Sequence, residues 1–188
     1  MLGVFKLSEV DKTILNRLWE MSDPVTLQEI SEKTGLNHQS ANMRLHNLRR
    51  EGLVTASGDG FIITEKGKEA IGFPKIDEKE AQEILRKTLP ENAFYFYAEV
   101  DQPSGVSSDC LMDFCEKIKS ADVKSIEFHT SRGDFESWIR FLGDLELEKR
   151  IGLIREANLA GEDLRQRLYT ALKMRSDELH QKRARFVS

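Results

Sequence analysis

From Thr26 to Thr64 the apolar positions spell out a helix, a tight turn, a second helix and a two-stranded hairpin. Thr26-Leu27-Gln28-Glu29 opens the first helix with a capping box, in which a hydroxyl and a carboxylate three residues on each satisfy an orphan backbone donor. Leu27 and Ile30 turn inward, and Gly35 supplies the left-handed stop. Leu36-Asn37 leads into a second helix over about Gln39 to Glu51, which Gly52 ends. Ala41, Leu45 and Leu48 fall at i, i+4 and i+7 and make its buried face. Leu53-Val54-Thr55-Ala56 and Phe61-Ile62-Ile63-Thr64 then flank Ser57-Gly58-Asp59-Gly60, a hairpin with glycine-rich turn chemistry.

Ser8 caps a preceding helix to about Met21, with Val10, Ile14, Leu15, Leu18 and Trp19 at helical spacing and Trp19 in the core. Thr64 caps a short helix through Ile71, and Pro74 sets a domain boundary near residues 73 to 77. Asp77 to Thr88 reads as a connecting helix anchored by Ile84 and Leu85. Ala93-Phe94-Tyr95-Phe96-Tyr97-Ala98 is β-prone but cannot form a sheet alone. Helical patterns follow. Ser107 or Ser108 starts one carrying Leu111, Phe114, Cys115 and Ile118, and Asp122 caps one through Phe128. Asp134 caps a third with Phe135, Trp138, Ile139 and Leu142, and Asp144 a fourth with Leu147, Ile151 and Ile154. Gly161 begins a long last helix with Leu164, Leu168, Leu172 and Leu179. The expected organisation is an α+β unit over 1–73, a linker helix over 74–91 and a mainly α-helical unit over 92–188.

Composition narrows the class. The 188 residues are 39% hydrophobic and 32% charged, and no apolar run approaches the ~20 residues of a membrane span. Met1 to Lys6 lacks the features of a signal peptide, so a cytoplasmic protein with no membrane partner is expected. Cys110 and Cys115 are the only cysteines, which leaves no second pair for a zinc site and points to reduced thiols. The histidines His38, His46, His129 and His180 fall in no metal-ligand spacing, and no phosphate loop or nucleophile elbow is present. No catalytic residue, metal or cofactor is expected. Net charge is −4, yet residues 1–75 hold ten Lys or Arg and ten Asp or Glu. The positive charge is local: Arg44, Arg49 and Arg50, Lys66 and Lys68, and the end of the chain. Binding to a polyanion would be modest and salt-sensitive.

The polar face of the second helix carries the candidate chemistry. Opposite Ala41, Leu45 and Leu48 run Gln39, Met43, His46 and Arg50, flanked by Ser40, Asn42 and Asn47. Amide, hydroxyl and imidazole groups can read base edges, and a methionine can rest on a thymine methyl. Arg44, Arg49 and Arg50 lie nearer the rim, where guanidinium groups meet phosphates. The alternative is a solvated helix face. Such faces usually alternate Glu with Lys, whereas this one carries a single acid, Glu51, at its end.

This segment resembles the winged helix-turn-helix regulators of bacteria and archaea, in their MarR-like and ArsR-like forms. The matching residues are Thr26-Leu27-Gln28-Glu29-Ile30, then Ala41, Leu45, Leu48 and Gly52-Leu53-Val54, then Ile63-Thr64-Glu65-Lys66-Gly67. The resemblance covers about Ser8 to Phe73 and implies a winged helix that binds double-stranded DNA sequence-specifically, as a transcription regulator does. Such proteins usually place Arg or Lys at the wing tip, but this tip offers only Asp59. A footprint made by the recognition helix alone fits better. An adaptor that uses the winged helix to bind protein is the alternative.

Asn92 to Leu172 resembles a domain family of unknown function from archaea and some bacteria. The shared motifs are Phe94-Tyr95-Phe96-Tyr97, then Ser125-Ile126-Glu127-Phe128-His129, Arg132-Gly133-Asp134-Phe135 and Trp138-Ile139. That family implies no activity. Physically, Gly133-Asp134 reads as a hinge between helices, with Gly133 closing one and Asp134 capping the next. His129 and Arg132 flank a helix N-terminus, a place that favours anions, so a small anionic effector could bind there. The other reading is a buried histidine held by hydrogen bonds and an arginine fixed by a carboxylate. A homodimer is expected, because one recognition helix spans few base pairs. The candidate seam is the apolar line Leu164, Leu168, Leu172, Leu179, with Tyr169 and Met174 beside it. The tail Lys182-Arg183-Ala184-Arg185 either approaches phosphates or is solvated.

Overall fold

The computed structural model describes residues 6–21 and 23–184. Met1 to Phe5 and Arg185 of the basic tail lie outside the described residues. The chain is a mainly helical α+β protein with two small antiparallel sheets, and it divides into two compact units after Lys75.

The first unit runs α1 (Glu9–Glu20), α2 (Leu27–Thr34), α3 (His38–Arg50), β1 (Val54–Ser57), β2 (Gly60–Ile63) and α4 (Glu65–Ala70). Each of the first three helices starts on a side-chain cap. Ser8 and Asp11 form a capping box at α1, Thr26 and Glu29 form one at α2, and the Asn37 side chain accepts from the Ser40 N–H at α3. Gly35 and Gly52 take the left-handed backbone after α2 and α3. Ile14, Leu15, Leu18, Ile30, Ala41, Leu45, Leu48 and Val54 then close one core. Each of the buried Leu, Ile and Val side chains contributes roughly 1.5–3 kcal/mol over its exposed state.

The hairpin is antiparallel, with Val54 opposite Ile63 and Ser57 opposite Gly60. It is not free-standing. Val25 N–H donates to the Phe61 carbonyl at 3.0 Å, and Phe61 N–H donates back at 2.9 Å. A Cβ on Gly60 would sit 2.9 Å from the Pro24 and Val25 backbone, so only glycine lets the α1–α2 connection lie against β2. The residues after the hairpin fasten it to the end of α3. The Thr64 hydroxyl donates to the Gly52 carbonyl at 2.7 Å, and the Lys66 ammonium donates to the Glu51 carbonyl at 2.7 Å. Lys66, read as surface charge, is therefore part of the fold.

The second unit contains α5 (Glu78–Leu85), a 3-10 turn (Pro90–Asn92), β3 (Phe94–Glu99), β4 (Gln102–Ser108), α6 (Leu111–Ser120), α7 (Val123–Arg132), α8 (Asp134–Leu142), α9 (Leu145–Glu156) and α10 (Gly161–Ala184). Its core centres on Phe94, whose ring lies 4.9–5.8 Å from those of Phe96, Phe114, His129, Phe135 and Trp138. Four features depart from the expected pattern. The segment read as a linker helix supplies Ile76, Ala81 and Ile84 to this core. β3 has a partner, β4, where no strand was expected; Ser107 and Ser108 belong to that strand and α6 starts on Cys110. Asp134 does not cap α8, whose cap position is Gly133. The line Leu164, Leu168, Leu172, Leu179 faces inward and is buried within its own unit, so it cannot be a seam between copies.

A buried ion cluster fixes α10 against α9. Arg175 grips Asp144 through Nε at 2.7 Å and Nη2 at 3.0 Å, and its Nη1 reaches Glu146 at 2.9 Å and Glu178 at 2.8 Å. Asp144 meanwhile caps α9 by accepting from the Leu147 N–H. Arg150 and Lys182 adjoin the same acids, which balances the charge.

Candidate functional site

Two places could carry function: the outward face of α3 and a cavity under the β3–β4 hairpin.

Because Ala41, Leu45 and Leu48 are buried, the rotation of α3 is fixed. Gln39, Asn42, Met43, His46, Arg49 and Arg50 are exposed along its outer side, and Ser40, Arg44 and Asn47 are half-buried at its edges. Met43 is 61% exposed and stands among these polar groups as the one large apolar side chain of the face. Among the described residues, the side chains of Gln39, Asn42, His46, Asn47 and Arg49 have no hydrogen-bond or ion-pair partner. They remain available to a ligand. The helix starts at His38, one residue before the start the sequence predicts, and His38 is exposed in its first turn beside Gln39.

Arg44 differs from its neighbours. Its Nη1 donates to Asp11 Oδ1 at 2.9 Å and to the Ser8 hydroxyl at 3.0 Å. It joins α3 to the capping box of α1. Burial pushes the Asp11 carboxyl up, but the Ser8 donors and Arg44 outweigh burial and hold it below the ordinary carboxylate value. Arg50 Nε lies 3.7 Å from Glu51, a long and exposed pair. The cationic groups left to this face are thus Arg49 and Arg50, without an acid among the exposed residues of α3. At the hairpin tip Gly58 and Asp59 are exposed, and the left-handed φ falls on Gly58.

The cavity has a volume of about 400 Å³ and lies between the β3–β4 hairpin and the corner from α7 to α8. At its floor His129 is 4% exposed. The Tyr97 N–H donates to His129 Nε2 at 2.8 Å, so that nitrogen carries no proton. Nδ1–H therefore donates to Asp134 Oδ2, also at 2.8 Å. Burial lowers the pKa of His129, with Asp134 opposing, and the net shift is downward. Arg132 Nε donates to the same Asp134 oxygen at 3.2 Å, and its guanidinium stands over the Phe128 ring at 5.1 Å. This engagement explains why Asp134 does not cap α8.

His129 and Arg132 are thus brought together, in the arrangement of a satisfied buried histidine and a carboxylate-fixed arginine. Of the two readings the sequence leaves open here, the anion site draws no support from these contacts. Both imidazole nitrogens are taken, Arg132 is matched by Asp134, and the other charges on the cavity wall are Glu99 and Asp101.

Elsewhere the chemistry is muted. Burial raises the pKa of both thiols, with Cys115 pushed up to about 11, which removes the thiolate a nucleophile needs. Among the described residues no three His, Cys, Asp or Glu are grouped to hold a metal ion, and no helix is long and apolar enough to cross a membrane. Compared with known proteins, the chain matches no family model, no curated protein and no solved structure, so its own geometry is what supports a functional reading.

Proposed function

We propose that the first unit is a winged helix, that α3 is its recognition helix, and that the protein is a cytoplasmic, sequence-specific DNA-binding regulator of transcription. The observation that supports this most is the exposed row Gln39, Asn42, Met43 and His46, which lacks any acid and whose polar side chains have no partner among the described residues. Amides can bond adenine in bidentate fashion, and Met43 offers an apolar contact for a thymine methyl. Arg49 and Arg50 on the rim suit phosphates. The hairpin would be a wing, but with Asp59 at its tip it would be repelled by the backbone, leaving α3 to make most contacts.

Two copies would place two such helices on half-sites about one helical turn apart. The second unit would supply the dimer contact or the response to an effector. The leucine line of α10 is excluded from that contact because it is internal. A gel-shift survey of genomic fragments, including the region upstream of the protein's own gene, tests the proposal. Retention of a few fragments over a large excess of random duplex is the expected result.

A second reading has specific support. Met43 and the acidic hairpin tip would suit a protein partner, and the first unit is electrically neutral. In that case no duplex is retained selectively.

A further inference from the structure

We propose that the cavity under the β3–β4 hairpin binds a small organic cation of the quaternary or alkylated ammonium class. Its walls are aromatic. Tyr95 and Tyr97 line it from β3 and Phe128 from α7, and the exposed Val100 adds apolar surface. Ring faces carry negative charge density, and a cation with apolar substituents suits such walls better than any other charged ligand does. The Arg132 guanidinium already covers one face of Phe128, so the rings left for a ligand are chiefly those of Tyr95 and Tyr97.

The charge balance selects the sign of the ligand. Asp134 answers Arg132 at 3.2 Å, and His129 is neutral, its Nδ1–H donating a hydrogen bond to Asp134 and its Nε2 accepting one from the Tyr97 N–H. That leaves Glu99 and Asp101, both exposed and without an ion-pair partner among the described residues. An anion would meet two uncompensated carboxylates, whereas an ammonium would be drawn in by them. The volume, about 400 Å³, falls within the range of small-molecule sites.

This inference concerns the second unit alone and does not depend on whether α3 reads DNA. Choline and tetramethylammonium are the cationic probes and benzoate the anionic one, titrated into the full-length protein by calorimetry and by amide NMR. Saturable choline binding in the millimolar range or tighter is expected, with shifts at Tyr95, Tyr97, Phe128 and Arg132. The double variant E99Q/D101N changes only exposed groups on the hairpin and should fold normally. It should weaken choline by about tenfold, the order expected for losing two nearby opposite charges. Tyr95→Leu should weaken it too, by about threefold to tenfold. The proposal is overturned if choline does not bind, if benzoate binds in its place, or if choline binds E99Q/D101N as well as it binds the unaltered protein.

Discussion

Arg44 of α3 and Asp11 of α1 meet at 2.9 Å, with the Ser8 hydroxyl 3.0 Å from the same guanidinium nitrogen. One side chain therefore ties α3 to the capping box of α1 and neutralises its largely buried carboxylate. Arg44→Ala should destabilise the first unit by about 1–2 kcal/mol, the range for losing charge-assisted bonds at a partly exposed site. Since Asp11 is held below its ordinary pKa, its stabilisation is present above the usual carboxylate range and lost as pH falls through the lowered value. Urea denaturation at neutral and at acid pH checks both points. A variant of unaltered stability at neutral pH would show that Arg44 is only a surface cation.

His129 makes the corresponding link in the second unit. The groups facing it are Asp134 and Arg132 from the α7–α8 corner and Tyr97 from β3. Protonation would remove the acceptor for the Tyr97 N–H. Its folded pKa lies below the ordinary 6.5, so its contribution is complete above about that pH and is lost as pH falls through the lower folded value. NMR titration of the ring should place its midpoint below that of an exposed histidine. His129→Leu should cost about 1–3 kcal/mol by orphaning the Tyr97 donor. A midpoint above 6.5 would mean that Asp134 outweighs burial.

Gly67 shows how closely the segment after the hairpin is packed. A Cβ there would lie 2.2 Å from the Leu53 carbonyl oxygen and 2.6 Å from Ile63. Gly67→Ala should therefore cost at least about 1–3 kcal/mol as overpacking. Gly58→Ala meets nothing within 4 Å and should cost only about 1 kcal/mol, from its positive φ. Thermal denaturation of the pair checks the order, and equal losses would place the strain elsewhere.

The leucines of α10 are core, so Leu168→Ala should cost about 2–5 kcal/mol. Under conditions where the variant stays folded, light scattering should report the same oligomeric state as the parent. Selective conversion of a dimer to folded monomers would restore the seam expected from sequence.

What the sequence made legible is what is bonded locally. Ser8, Thr26, Thr64 and Asp144 cap where their spacing to the next helix says they should, because a cap and its donor lie two or three residues apart. The outer face of α3 was legible for a similar reason, since three buried positions fix it. Distant partners were not. Arg44 read as a phosphate contact because Asp11 lies 33 residues away. Asp134 read as a cap because nothing local shows its pull toward His129. β4, Gln102 to Ser108, carries Pro, Gly and Ser and no apolar alternation, so its strand character comes from pairing with β3. The leucine line of α10 was plain, but only the packing of α5, α6, α7 and α9 shows that it points inward.

The reading of α3 as a DNA-recognition helix is tested most directly by fluorescence anisotropy on a fragment retained in the gel-shift survey. Asn42→Ala and Gln39→Ala should each weaken that complex by about 1–3 kcal/mol and relax base preference at one position. Arg50→Ala should weaken selected and random duplexes alike and lower the salt slope by about 1. If the combined Gln39→Ala, Asn42→Ala and Arg50→Ala variant, folded like the parent, binds that fragment with unaltered affinity and salt dependence, α3 is not the DNA-reading element.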